Sequence, residues 1–526
     1  MNKTSHTVFS PSDFFYNGVI SAVSSLALRL AGMIFNVYLS LHAGAQAMGL
    51  LALVYSAWGF VLTAGCAGGS LASARMCAES ASRKEDVRAA CSKCLKYSLV
   101  CSVTVGALFF TLASGVGALL CDSRSVVPLR LLAVSLPFVS ASGTLSGYFN
   151  AVQRSYKNSV CMIAEQVIRV SLTVFIFTRL RHSDAGAYCT AIILGGIVAD
   201  ILSFILQYLL YLNDKRRLPF KDAPCSVTFK KIAAITFPVC ISASIRSGLV
   251  SIEHVLIPNG LCAFGLSRED ALALFGTVHG MAVPIILFCI SIPSAFSVLL
   301  IPRIAEHNTQ KSRGEIRYIA SRAYRMALIF SFGVASFLTL SAFLLGDALY
   351  PGTDASRYIY LLAPLVPIMY VDSVSDAILK GMGEQLYSMK INIADAAISV
   401  ICVFFLVPRI GVSGYIIAIY LSEAFNTCAS MIRVIKLTGY TVPVFRFAAV
   451  PLILSVISAN LTSVFYKYSS QLSYRTALIL GGIMYTLTFL LLLIICRNLS
   501  KEELNYLKGL IVKKGSRKAE APRDKC

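Results

Sequence analysis

The amino-acid sequence predicts an all-α integral membrane protein of about fourteen spanning helices, on three observations. The chain of 526 residues is 56% hydrophobic and 14% charged, with a mean hydropathy of +0.72, whereas soluble domains carry about a quarter charged residues. Apolar stretches of about 20 residues, the length that crosses a hydrocarbon core of roughly 30 Å, recur from end to end. A motif near residue 131 returns near residue 361, as a duplicated bundle would require.

The first span, 18–40, holds "SSLALRLAGMIFNVYLS" and carries Arg29. It is longer than the 7 to 15 apolar residues of a signal peptide, and the polar arm before it holds only Lys3 and Asp13 as charges, so it reads as a spanning helix. Spans at 47–74, 97–120, 126–150, 158–178 and 186–212 complete a first set of six. The next six lie at 232–256, 272–300, 326–346, 358–379, 391–407 and 412–432. Two more, 447–466 and 476–496, have no charged residue in their cores and can face lipid on most sides.

The net charge of +21 would suggest nucleic acid in a soluble protein. Here the cations alternate with the spans: Arg75 to Lys96, Arg154 and Lys157, Lys215 to Lys231, Arg303 to Arg325, Lys380 and Lys390, Arg433 to Arg446, and Arg497 to Lys525. By the positive-inside rule these loops and both termini are cytoplasmic. The charge is topology plus attraction to anionic lipids, with no nucleic-acid motif beside it. The intervening loops carry few cations, among them Arg124, Arg179, Arg268, Arg357 and Arg409.

"LLAVSLP" at 131–137 and "LLAPLVP" at 361–367 are 230 residues and six spans apart. Six is even, so the two copies share an orientation and are related by a pseudo-two-fold axis along the membrane normal. The expected organisation is an N-lobe (1–213), a cytoplasmic linker (214–231), a C-lobe (232–437), two extra helices (438–497) and a basic tail (498–526). In that tail "LSKEELNYLKGLIVKK" has the pattern of a short helix lying on the inner leaflet.

Charges inside the spans are the candidate functional residues. Arg29 lies about 17 Å along its helix, too deep to snorkel easily, and facing lipid would cost at least about 2.5 to 3.5 kcal/mol. It should therefore meet a partner or water. Arg169 and Arg246 are also mid-span, and spans 1 and 7 are equivalent under the repeat, so a chamber between the lobes would present cations from both sides. Guanidinium forks match phosphate oxygens, which makes a diphosphate on a polyprenyl chain a fitting guest.

Each charge also has a structural reading. Glu165 and Arg169 are four residues apart and can neutralise each other. Glu253 follows Arg246 by two turns and can serve it, or take a coupling ion. Asp200, Asp372, Asp376, Asp395 and Glu423 are further acids within spans, Asp376 being four residues before Lys380. His279, beside Gly280, reads as a packing residue. Prolines inside spans, such as Pro137, Pro238 and Pro367, mark kinks that can also serve bending.

Nothing indicates an enzyme, a cofactor or a metal: there is no GxxxxGK[ST], HExxH or GxSxG. The single CxxC, Cys91 and Cys94, has no second pair or nearby His. Most other cysteines lie in apolar runs.

Several stretches resemble a known family: "LALRLAGMIFNVYLSLHAGAQAMGLLALVYSAWGF", "SGYFNAVQRSYKNSVCMIAEQVIRV", "SVLLIPRIAEHN" and "LKGMGEQLYSMKINIADAAISVICVFFLVPRIGVSGYIIAIYLSE". They are similar to the stage V sporulation protein B and polysaccharide biosynthesis proteins of the multidrug/oligosaccharidyl-lipid/polysaccharide exporter superfamily, over residues 15 to 500. The resemblance implies two six-helix lobes about a central cavity, two added helices, and transfer of a lipid-linked sugar between leaflets by alternating access. It implies substrate-binding cations on the first helix, where Arg29 fits. Asn36 stands where relatives often have a further base, and Glu253 where many have Asp.

The expected function is a monomeric flippase of undecaprenyl-diphosphate-linked saccharide, lipid II first, in the bacterial cell membrane. Arg29, Arg246 and Arg169 would bind substrate; Glu165, Glu253, Glu423 and Asp200 would pair charges or couple to an ion. The rivals are a cation-coupled multidrug exporter of the same fold, whose cavity acids would dominate, and a transport-inactive envelope or sporulation scaffold.

Overall fold

The structure, a computed structural model, describes residues 11–66, 68–180, 184–215, 224–439, 444–468 and 474–496, with side chains except at 11–23, 292–299, 444–446 and 475. The arm bearing Lys3, most of the linker's basic run and the tail helix expected after 497 lie outside the described residues. Among the described residues every regular element is helical.

Helix α1 (Pro11–Cys66) has 56 residues, about 84 Å if straight and far longer than one crossing. It breaks at Gly44, where φ is 78° and ψ 171°, a conformation open to glycine because it lacks a Cβ. Thus α1 contains the first two spans, and α2 (Gly69–Ser82) prolongs the second. Counting Ser24–Ser82 as one, thirteen described segments are long and apolar enough to cross a membrane; the break at Gly44 makes fourteen crossings.

The first lobe continues with α3 (Val87–Leu119), α4 (Val126–Ala151), α5 (Ser155–Phe177) and α6 (Ala185–Lys215). Asp86 starts α3 by accepting the Arg88 amide at 2.9 Å, which satisfies one of the helix's orphan donors. The second lobe opens with α7 (Phe229–Phe264). The eighth span comprises α8 (Arg268–Phe275), a π-helical turn (Gly276–Ala282) and α9 (Val283–Thr309). After α10 (Arg313–Leu349), the tenth span comprises α11 (Ala355–Leu362) and α12 (Val366–Gly381) across a 3₁₀ turn, followed by α13 (Gln385–Ile410) and α14 (Val412–Thr438). The extra pair is α15 (Val444–Tyr468) and α16 (Tyr474–Ile495). Several helices outrun the expected spans, because hydropathy registers the apolar middle and not the polar turns continuing beyond it.

The duplication is visible in the packing. In the first lobe α1 packs on α5, α2 and α3 on α4, and α6 on α4 and α5; in the second, α7 packs on α13, α9 and α10 on α12, and α14 on α12 and α13. The extra helices dock on α10, where Tyr485 donates to the Gly333 carbonyl at 2.8 Å and Ser336 to that of Ser455 at 3.1 Å.

The lobes meet along the second half of α1. Ser251 of α7 donates to the Ser56 carbonyl at 2.6 Å, and the Cys240 thiol to those of Thr63 and Ala64 at 3.4 and 3.3 Å. At the end away from the basic loops, Arg268 donates to the Leu120 carbonyl at 2.5 Å and Tyr350 to Asn36 at 3.4 Å. Near that end a Cβ on Gly276 would collide with the Ala45 carbonyl and lie 2.5 Å from the Gly49 amide nitrogen. Gly276→Ala is therefore expected to force the helices apart and lower stability by about 1 to 3 kcal/mol, read as a drop in thermal midpoint in detergent, while Gly115→Ala, whose Cβ would meet nothing within 4 Å, leaves it unchanged.

At the basic-loop end the linker is strapped to the first lobe. Glu85 accepts from the Ser226 amide at 3.1 Å and hydroxyl at 2.9 Å, and Lys93 donates to the carbonyls of Val227 at 2.8 Å and Cys225 at 3.4 Å. These bonds hold Glu85's carboxyl below its ordinary range, the Ser226 donors being the largest cause. Val227 and Ile232 bury against Met76, Ala90 and Cys94 beneath them.

Candidate functional site

The charged side chains within the spans sort by lobe. In the first lobe Arg169 of α5 bonds Glu165, one turn before it, and Asp200 of α6, both at 2.8 Å. Tyr55 from the second half of α1 lies within electrostatic reach of Arg169 and Asp200. The i, i+4 pairing expected from the sequence exists, and Asp200 completes a triad that spacing alone does not reveal. In this conformation Arg169 is committed to two carboxylates.

Arg29 differs. It is exposed on the first half of α1, beside exposed Leu26, Leu30 and Ile34, and has no hydrogen-bond or ion-pair partner among the described residues. A guanidinium in mid-span without a carboxylate requires water or an anion.

Arg246 of α7 is also exposed, and both Asp395 of α13 and Glu423 of α14 feel its charge. Glu253, expected as its partner, instead accepts from Ser399 of α13 at 2.8 Å. Two turns along a helix is about 10.5 Å, so side chains facing a neighbouring helix find partners there first. Asp395 accepts from Ser422, and Asn426 donates to Asp372 at 3.3 Å. Glu423 lies within reach of Asp372 and Asp395, and Asp395 within reach of Glu253. Asp376 pairs with Lys380 at 2.5 Å and accepts from Ser388.

The duplication explains this asymmetry. At the 230-residue offset Glu165 corresponds to Asp395, but Arg169 corresponds to Ser399. The first lobe thus neutralises its acid on the same helix, while the second replaces the base by a hydroxyl and keeps Glu253, Asp372, Asp395 and Glu423 around Arg246. Positive charge is expected on both faces; on the second it stands in an acidic surround. The hydroxyl and amide partners Ser399, Ser422 and Asn426 were missed by charge-counting, and the offset was the signal that could have found the first.

A fold of this kind, two similar six-helix bundles meeting at their first and second helices with a docked pair behind, is that of membrane transporters. It superposes on a lipid II flippase, MurJ, in an inward closed conformation (TM-score 0.68, 10% identity, 91% of this chain and 99% of that one). It also superposes on an inward-facing multidrug resistance MATE family transporter of the MOP superfamily (TM-score 0.64, 13% identity, 80% and 98%).

In sequence, residues 15–258 match the polysaccharide biosynthesis protein family. The chain is 22% identical over 510 residues to stage V sporulation protein B of Bacillus subtilis (strain 168), covering 93% of this chain and 97% of that protein. The resemblance read from the sequence therefore holds across nearly the whole chain: this is a multi-pass membrane protein of the polysaccharide-exporter type.

Proposed function

We propose that the chain carries a polyprenyl-diphosphate-linked saccharide, lipid II first among candidates, from the inner to the outer leaflet by alternating access. The observation that carries this reading is Arg29, a cation exposed in mid-span without a protein partner. A diphosphate satisfies it with charge-assisted, bidentate hydrogen bonds, and the prenyl chain stays in lipid. The flippase fold and the family match support the same substrate class. Arg246 would join Arg29 as the lobes close, and Arg169 would become available when its triad opens. Glu165 and Asp200 would then serve as charge partners, and Glu253 and Glu423 would couple the cycle to an ion. The protein would act as a monomer in the bacterial cell membrane, with both termini cytoplasmic and basic loops on anionic headgroups.

The acid excess around Arg246 favours a second reading, a cation-coupled drug exporter of the same fold. One experiment separates them: purified protein in vesicles is given fluorescent lipid II, a lipid-linked disaccharide lacking peptide, and a cationic dye. Protein-dependent flipping of either lipid supports the flippase, and the peptide-free lipid tells which headgroup is read. Dye transport with neither lipid moved overturns it.

A further inference from the structure

The eighth span contains an irregularity that the substrate reading does not use. Its π-helical turn, Gly276–Ala282, holds His279, and α7 brings His254 against it with ring centroids 4.2 Å apart. Phe275 stacks on His279 at 5.3 Å and meets His254 edge-on at 5.6 Å. His279 Nδ1 lies 3.2 Å from the Tyr415 hydroxyl. His254 is 9% exposed, and its Nδ1 is buried without a hydrogen-bond partner.

π turns cost helix geometry and are retained mostly at functional sites. A buried polar nitrogen without a partner is also costly, by about 1 to 3 kcal/mol. Two such features together, with two imidazoles in contact, exceed what packing demands.

We propose that His254 and His279 form a proton-binding site that locks the seam between the lobes, closed while both rings are neutral and released when one takes a proton. The seam leaves no room to hydrate an imidazolium. Gly276 presses on Ala45 and Gly49, and a Cβ on Gly280 would come within 3.1 Å of Met48.

The surrounding groups supply little compensation. From α7 itself come Glu253, already bonded to Ser399, and Arg246 two turns away. From α13 come Asp395 and Cys402, both within reach of Glu253. From α14 comes the Tyr415 hydroxyl. The packed stretch of α11 offers buried Tyr358 and exposed Arg357. The nearest residues of α1 are Ala45, Met48 and Gly49, none titratable, and His42 further back is exposed and bonded to the Tyr38 carbonyl. A proton therefore binds better to the separated seam, and by linkage acid favours separation. In the proposed cycle this is the outer gate, so protons from outside would open it.

The chain's single tryptophan, Trp58, is buried on α1 between Ser56 and Gly59, which face Ser251 and Ser247 of α7. Its fluorescence reports on the seam without any transport measurement, so failure here is distinct from failure of the flippase reading. In nanodiscs, the wild type is expected to show a reversible change in Trp58 emission between about pH 8 and pH 5, the imidazole range. The change should be lost in His254→Gln/His279→Gln and shifted in either single variant, which also serves if the double does not fold. Glu253→Gln should keep it. No transition in the wild type, its survival in the folded double variant or in both folded single variants unshifted, or its loss in Glu253→Gln overturns the proposal.

Discussion

Replacing Arg29 and Arg246 together by alanine is expected to reduce lipid II flipping in vesicles by at least about 100-fold while leaving the protein folded. Hydrogen bonds to a charged group contribute about 1.5 to 3 kcal/mol, so each arginine that clasps a phosphate accounts for roughly 10- to 150-fold in affinity. The single variants should divide differently. Arg29 has no protein partner to abandon, so Arg29→Ala should raise the substrate concentration needed for half-maximal flipping with no change in thermal midpoint. Arg246→Ala should also lower the midpoint, because Asp395 and Glu423 lose the cation between them. Arg29→Lys keeps the charge without the fork and should fall between wild type and alanine. Wild-type flipping by the double variant would refute the binding role of both residues.

The largest effect on stability is expected at Asp214, near the end of α6. Its carboxylate is 3% exposed and accepts from both Arg154, at 2.6 Å, and Lys157 at the start of α5. Lys157 also lies over the Phe149 ring at 6.0 Å. Asp214→Ala leaves two cations facing each other without their anion. Breaking a buried pair in this way costs about 3 to 5 kcal/mol. Thermal unfolding in detergent should show a much lower midpoint, Asp214→Asn should recover part of the loss through its amide oxygen, and an unchanged midpoint in Asp214→Ala would show that water already serves these cations.

The sequence made the spans, the duplication and the family resemblance legible because each is written locally, in hydropathy windows and in the return of "LLAVSLP" as "LLAPLVP". The Glu165–Arg169 pair was legible for the same reason, since four residues along a helix fix a neighbour. What escaped depends on how helices are rotated against one another. Asp200 reaches Arg169 from 31 residues away, Ser399 takes Glu253 from 146 away, and His279 proves to be one of a pair rather than a lone packing histidine. Hydropathy does not encode those rotations; close glycine contacts such as Gly49 on the Leu272 carbonyl help set them.

The strapped linker has a mechanical consequence. Because Ser226 and Val227 are tied to Glu85 and Lys93, and Tyr97 meets Thr236 at 3.1 Å one turn further on, the root of α7 travels with the first bundle although the chain assigns that helix to the second. Its far half is gripped by α13, through Ser399 and the wall of Val407 against Gly260. A rocking cycle must then flex α7 like a torsion bar, and Pro238 and Pro258, which donate no amide hydrogen bond, are the two weak points along its length.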